Sequence, residues 1–508
     1  MSAATSIAEL LAAGRDEAPA IAAPDRSPLT YAGLRRLVAD TVATLNRIGI
    51  GRNDPVAIVL PNGPEMAAAF VSIACGATTA PLNPAYRADE FDFYLGDLDA
   101  KALVVERGSE SAAIAVARQR GVSIVELVAD PAGPAGAFVL EGKASGAAGS
   151  TGLAGDDDVA LVLHTSGTTS RPKIVPLRHR NVAASARNIR VALGLTPADR
   201  CLNIMPLFHI HGLIAAVLSS LGAGGSVFCA PGFNALRFFS QLGEARPSWY
   251  TAVPTMHQAI LGRAERNREA IAASPLRLIR SSSASLPPQV MRALEETFSV
   301  PVIESYGMTE AAHQMASNPL PPRPRKPGTV GVAAGPEVAI MDELGSDLLP
   351  QGEVGEVVIR GDNVTAGYAA NPEANAKAFA GGWFRTGDQG MLDAEGYLTI
   401  TGRLKELINR GGEKISPREV DEVLMDHPAV DQALTFSMPH DKLGEEVAAV
   451  VVLVEGASAA EQELREFVAR RLADFKVPRR IVFLAEIPKG ATGKLQRIGL
   501  AQRLGLSA

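Results

Sequence analysis

The sequence predicts an α/β fold: an open, largely parallel sheet with helices on both faces, then an antiparallel, barrel-like stretch, then a compact α+β unit. Three observations carry this reading. Between residues 30 and 130, apolar runs of strand length alternate with longer segments of helical periodicity. From Gly328 to Ile400 the helical pattern gives way to short β-rich runs divided by glycine turns. After Gly402 the pattern changes again, which divides the 508 residues into domains of 1–402 and 403–508; the whole exceeds one ordinary core.

Taken in order, Tyr31 to Ile48 has apolar residues at helical spacing, with Thr30 as its N-cap. Pro55 to Leu60 reads as a strand, Gly63 to Cys75 as a helix and Ala102 to Glu106 as the next strand. Residues 131–155 are rich in Gly, Ala and Pro and predict a long irregular loop. Val159 to Leu163 is a buried strand. The alternation resumes with helices over Asn181 to Leu193, Phe233 to Glu244, Pro254 to Gly262 and Pro287 to Phe298. Between them come strands at Ser226 to Cys229, Trp249 to Val253 and Leu278 to Ser281, and a further strand at Val300 to Ile303 follows. Leu213 to Phe228 is apolar but broken by serines and glycines, so it predicts a buried helix–turn–strand rather than a membrane span. Val354 to Ile359 and Tyr397 to Ile400 are short strands, and Pro417 to Met425 and Ala460 to Leu472 are helices of the last domain.

Composition excludes several function classes. The chain is 47% hydrophobic and 20% charged, with 48 glycines and a net charge of −6, which argues against nucleic-acid and anionic-membrane partners. Cys75, Cys201 and Cys229 sit in apolar surroundings without paired spacing, as reduced core thiols of a cytoplasmic protein would. No secretory signal is expected in Met1 to Gly14, and the last residues do not form a Ser-Lys-Leu signal. Oligomeric state is left open.

Five stretches carry chemistry. In the first, the strand ending at Leu163 and His164 runs into Thr165-Ser-Gly-Thr-Thr169, then Ser170, Arg171, Pro172 and Lys173. Gly167 allows backbone to approach an anion, hydroxyls and successive N–H groups donate, and Lys173 adds positive charge: the makings of a phosphate cradle. The P-loop pattern does not fit, because no glycine precedes Lys173, and no dinucleotide-binding G-x-G-x-x-G occurs. In the second, Glu304-Ser-Tyr-Gly-Met-Thr-Glu310 offers an aromatic face, hydroxyls and carboxylates. Phe384-Arg-Thr-Gly-Asp388 sets an acid on a glycine turn. Gly402 to Pro417 is basic and contains glycines, and Pro488-Lys-Gly-Ala-Thr-Gly-Lys494 is a loop ending in lysine.

In this order and at this spacing, the five stretches resemble the adenylate-forming superfamily of acyl- and aryl-CoA synthetases, adenylation domains and luciferases, over about residues 10 to 500. Ser170 and Ile174 stand where that family usually has glycine. The resemblance implies a large N-terminal domain of stacked doubly wound sheets with a β-barrel-like subdomain, and a small mobile C-terminal domain. It implies ATP and CoA as co-substrates and Mg²⁺ as cofactor. Thr165, Ser166, Gly167, Thr168, Thr169 and Lys173 would wrap the β- and γ-phosphates. Tyr306 would stack on adenine within Glu304, Ser305, Gly307 and Met308, with Ser283, Ala284 and Ser285 opposite. Thr309 would meet the α-phosphate, Glu310 with Thr165 would hold Mg²⁺, and Asp388 with Arg403 would take the ribose. Lys494 would bridge acyl carboxylate, α-phosphate and ribose as the catalytic lysine. Lys405 would be the pivot of the C-terminal domain, and Gly411 and Gly412 would line the pantetheine tunnel.

The acid is set by the segments Met205 to Gly212, Arg280 to Ser285 and the residues after Glu310, and these are polar. His209 and His211 lie two apart, Ser281 to Ser283 run together, and His313 follows Glu310 by three. A long fatty acid needs an apolar tunnel, at about 0.8 kcal/mol per buried methylene. Histidines and hydroxyls suit a second polar or anionic group instead. The segments Leu163 to Lys173, Trp249 to Thr255, Ser283 to Leu286 and His313 to Leu320 resemble the oxalate–CoA ligase branch of the family, where Ser170-Arg171 also fits. That implies oxalate, held by His209, Ser283 and His313. Other small or medium-chain acids, malonate and fatty acids among them, and loading of a carrier protein stay open as alternatives. The three histidines lack the cysteine or acid partners of a zinc site.

Overall fold

The structure is a computed structural model describing residues 3–144, 146–165, 172–489 and 495–506. Two large sheets form its bulk. The first has seven strands in the order Phe138–Gly142, Ser123–Ala129, Ala102–Glu106, Pro55–Val59, Thr78–Pro81, Val159–Thr165 and Lys173–Arg178. Its interior is parallel and both edges are closed by antiparallel partners. The second has nine strands, with six parallel neighbours from Val302–Met308 through Leu278–Ser281, Trp249–Ala252, Arg200–Asn203 and Ser226–Cys229 to Pro19–Ala22. Parallel strands need crossovers, and the helices that make them cover the faces.

What lies between the sheets explains the packing. Helix Pro64–Ala74 is buried on all sides from Met66 to Ala74, so its sequence carries no polar face. It shares one core with strand residues Val56 and Ile58 of the first sheet and Cys201 and Val227 of the second. Helix His179–Ala192 and a π-helical segment, His211–Leu218, enter the same core. The expected helix–turn–strand over 213–228 is this segment, helix Ser219–Gly222 and strand Ser226–Cys229.

A third sheet, wholly antiparallel, joins Glu337–Met341, Gly355–Arg360, Trp383–Leu392, Phe379–Ala380 and Leu398–Arg403. The smaller C-terminal domain builds its own sheet from Ile408–Arg410, Glu413–Ile415, Val430–His440, Gly444–Leu453 and Arg480–Phe483, with helices Pro417–Met425 and Glu461–Ala469 packed on it. It touches the larger part through Arg418 Nη1, which donates to Ile400 O at 2.7 Å, and Lys414, which pairs with Glu343 at 2.8 Å.

Three expectations are corrected. Residues 131–155 are not an irregular loop throughout: Phe138–Gly142 pairs with Ser123–Ala129 as an edge strand. The helix expected from Phe233 begins at Phe238. The strand expected to stop at Ile303 runs on to Met308, so the Glu304–Met308 motif is itself a strand.

Candidate active site

Two antiparallel strands organise the site. Val302–Met308 turns through Thr309–Ala311 and returns as His313–Ser317, with Tyr306 opposite Ala316 and Met308 opposite His313. Gly307 lies so close to the returning strand that a Cβ there would come within 1.6 Å of His313 O. Ala312 and His313 both take positive φ, 47° and 101°, a conformation side chains disfavour and one that collects at functional sites.

Tyr306 ties this hairpin to the antiparallel sheet. Its hydroxyl donates to Asp388 Oδ2 at 2.5 Å, and Arg403 Nε donates to Asp388 Oδ1 at 2.8 Å. The buried carboxylate is thereby held by both oxygens. Asp388 and Arg403 are neighbours because Trp383–Leu392 and Leu398–Arg403 pair with these two residues in register. Glu304 accepts from Leu286 N at 2.9 Å through Oε1, while its buried Oε2 has no partner; burial pushes this carboxyl up to about 7.

Glu310 stands at the hairpin turn, 6% exposed. Burial pushes its carboxyl above the usual range, opposed by the Tyr368 hydroxyl, which donates to Oε1 at 2.9 Å, and by the charges of Arg403 and Lys173. Tyr368 also lies beneath Lys173, whose Nζ is 4.3 Å from the ring centroid. The Lys173 ammonium is pushed down, first by burial and then by the charge of Lys405, which the fold brings near it. Thr165 and Lys173 face each other as an antiparallel pair of strands Val159–Thr165 and Lys173–Arg178. Ser166, Gly167, Thr168, Thr169 and Lys494 lie outside the described residues.

A single carboxylate beside the Tyr368 hydroxyl fits Mg²⁺, which keeps several waters and takes only one or two protein ligands besides substrate phosphates. A dedicated metal cage is a different matter: among the described residues no cluster of three metal-ligating side chains occurs.

The residues expected on the acid side form a second constellation. His211, at the first turn of the π-helical segment, is fully buried and stacks on His313, ring centroids 4.9 Å apart. Its Nδ1 is 3.0 Å from Ser283 Oγ and its Nε2 is 2.6 Å from Thr251 Oγ1. His209 joins through the turn, its Nδ1 accepting from His211 N at 3.3 Å. Behind the rings lies Arg280, fully buried at the centre of strand Leu278–Ser281 with Thr251 beside it on the neighbouring strand. Arg280 donates to His211 Nε2 (3.4 Å), Thr251 Oγ1 (3.4 Å), His313 Nε2 (3.1 Å) and Gln314 Oε1 (3.3 Å). Its Nε has no acceptor, and among the described residues no carboxylate pairs with it. Burial pushes the guanidinium down to about 9. Ser283 takes a left-handed φ of 73°, which turns it toward His211, while Ala284 and Ser285 are exposed.

Gly411 and Gly412 form the exposed tip of the Ile408–Ile415 hairpin, at φ of 60° and 100°. Sequence reasoning missed Tyr368 and gave Arg280 no role. For Arg280 a signal existed, an arginine inside an otherwise apolar strand; for Tyr368 none did.

Residues 9–369 match the AMP-binding enzyme family and 419–494 the AMP-binding enzyme C-terminal domain. The chain is 46% identical to the oxalate–CoA ligase of Arabidopsis thaliana over 93% of each chain. It is 44% identical to that of Saccharomyces cerevisiae, over 90% of this chain and 88% of the relative. Its structure resembles ATP-bound MatB from Rhodopseudomonas palustris, with a TM-score of 0.88, 30% identity and 98% of each chain covered. The two matched regions, the fold and the near-full-length relatives agree: the chain belongs to the AMP-binding enzyme family, among its acid–thiol ligases.

Proposed function

We propose that this chain converts oxalate, ATP and CoA to oxalyl-CoA, AMP and diphosphate through an oxalyl-adenylate. The observation that carries the choice of acid is the wall of half-buried Ser283 and buried His211 and His313, backed by a guanidinium that has no carboxylate partner among the described residues. An alkyl chain against that wall would leave the Ser283 hydroxyl without an acceptor, at about 1–3 kcal/mol, and a second carboxylate would supply one. The oxalate–CoA ligases of Arabidopsis and yeast support the same reading.

In the first step one carboxylate oxygen of the acid bonds to the α-phosphorus, and the bond to the bridging oxygen breaks to release diphosphate. The step needs alignment and charge neutralisation more than a base. Lys173 and the strand end at Thr165 sit beside the phosphates, Tyr306 presents its ring to the adenine, and the Asp388–Arg403 pair takes the ribose hydroxyls. Mg²⁺, when bound at Glu310, neutralises charge on the phosphates. Lys494 supplies a further cation between acid and phosphate, and Thr309 touches the α-phosphate. In the second step the CoA sulfur bonds to the acyl carbon and AMP leaves. The C-terminal domain turns about Lys405 between the steps, bringing Gly411 and Gly412, a tip without side chains, against the pantetheine arm. His209 and His313 contact the acid. The free, buried cysteines fit a cytoplasmic enzyme.

The test is AMP release with ATP, Mg²⁺ and CoA, comparing oxalate with malonate, acetate and octanoate. The expected result is a kcat/KM for oxalate at least about a hundredfold above the others, roughly 2.7 kcal/mol. A preference for octanoate or acetate would overturn the choice of acid and leave the ligase chemistry standing.

A further inference from the structure

A guanidinium has five N–H donors and no acceptor, so each of its contacts fixes a lone pair on the other side. Arg280 reaches Nε2 of both His211 and His313, at 3.4 and 3.1 Å. Nε2 is then an acceptor in each ring, and the proton of each neutral imidazole sits on Nδ1. Thr251 completes the pattern, since its hydroxyl accepts from Arg280 Nη1 and donates to His211 Nε2 at 2.6 Å. The proton on His211 Nδ1 is donated to Ser283 Oγ at 3.0 Å. Ser283, having accepted, keeps its own O–H to donate.

We infer that Arg280 is a positioning and specificity-determining residue for the acid: it sets both histidines in the Nδ1–H form and so makes Ser283 a hydrogen-bond donor toward an anionic group. The inference rests on the acid-pocket reading above and extends it. A donor hydroxyl backed by a cation that no carboxylate neutralises among the described residues selects a second negative charge, not merely a polar group. The nine-stranded sheet makes this possible by burying Arg280 at its centre, where the register sets Thr251 alongside it and the crossing His211 above Thr251. The lone cation costs the apo fold a desolvation penalty that an anionic acid relieves on binding. The low proton affinity imposed on Arg280 by burial agrees with that cost.

The experiment uses the full chain labelled with ¹⁵N-histidine and free of ligand. Two-bond ¹H–¹⁵N spectra report the tautomer of each ring, with the signals of His211 and His313 identified by their loss in His211→Asn and His313→Asn. Both rings are expected as Nδ1–H in the unaltered protein, and at least one is expected to lose that preference in Arg280→Met. An Nε2–H form of either ring in the unaltered protein, or unchanged tautomers in Arg280→Met, overturns the inference. Kinetics give the second readout, with Arg280→Lys standing in where Arg280→Met does not fold. The KM for oxalate is expected to rise at least tenfold while that for ATP stays within twofold. The preference for oxalate over glyoxylate, its singly charged analogue, is expected to collapse at least tenfold. Equal increases in both KM values assign Arg280 a purely structural role and refute the inference. If the unaltered enzyme does not prefer oxalate, the oxalate reading fails, and the tautomer spectra alone decide whether Arg280 sets the rings.

Discussion

Replacing Tyr368 by phenylalanine isolates one interaction at the proposed Mg²⁺ site. The ring beneath Lys173 is kept, 4.3 Å from Nζ, and only the hydroxyl that donates 2.9 Å to Glu310 Oε1 is lost. A hydrogen bond to a charged group is worth about 1.5–3 kcal/mol, and its loss from a buried carboxylate is not made good by solvent. At about 1.4 kcal/mol per decade, kcat/KM for ATP should fall between about tenfold and 150-fold. The pH profile supplies an independent sign. Burial already holds the Glu310 carboxyl above its usual range, and the Tyr368 hydroxyl works against that. Without the hydroxyl the carboxyl rises further, so the acid limb of the rate profile moves to higher pH, because the ionised form is the one that binds the metal. The assay is initial rate of diphosphate release at saturating oxalate and CoA, with ATP and Mg²⁺ varied across the pH range. A rate within twofold of the unaltered enzyme, together with an unmoved acid limb, would refute the assignment of Glu310 as metal ligand.

Glu304→Gln should change how stability depends on pH. The carboxyl is raised from 4.5 to about 7 in the folded state, so the folded chain holds its proton more tightly and stability falls as pH rises through that window. The glutamine variant lacks this loss and should gain about 3 kcal/mol relative to the parent between the two ends, read by urea unfolding at each pH; parallel curves would count against it. Asp388→Asn removes the charge held by Tyr306 and Arg403, and is expected to raise the KM for ATP about tenfold or more with the KM for oxalate little changed, as steady-state kinetics would reveal. Phe70→Ala empties a fully buried site between the two large sheets and should cost about 3–5 kcal/mol in chemical denaturation without altering acid preference.

Local signals in the sequence were read well where local physics decides. Thr30 caps its helix by accepting from Gly33 N, and Pro417–Met425 starts at its proline. The apolar run at Val159 is a strand because both of its faces are covered. Phe138–Gly142 escaped because its alternation, Phe138 and Leu140 inward and Val139 outward, is short and set in glycine-rich surroundings; pairing with Ser123–Ala129 settles it. The acid-side segments were recognisable as polar, but their meaning depends on Arg280 meeting groups 29 to 69 residues away in sequence. Tyr368 reaches Glu310 across 58 residues, and nothing near it in the chain announces that contact.

The hairpin of Val302–Met308 and His313–Ser317 carries Tyr306 on one limb and His313 on the other, seven residues apart across a turn that holds Glu310. On the proposed assignment, nucleotide, metal and acid would therefore be spaced by one piece of backbone. Its two limbs are pressed together at Gly307, where no side chain would fit, and its register is offset between Tyr306 and Gly307. On that assignment such a ribbon would act as a gauge, setting how far the attacking oxygen stands from phosphorus before either substrate arrives. An acid of another length would then have to be accommodated away from the ribbon, because that end is already ruled off.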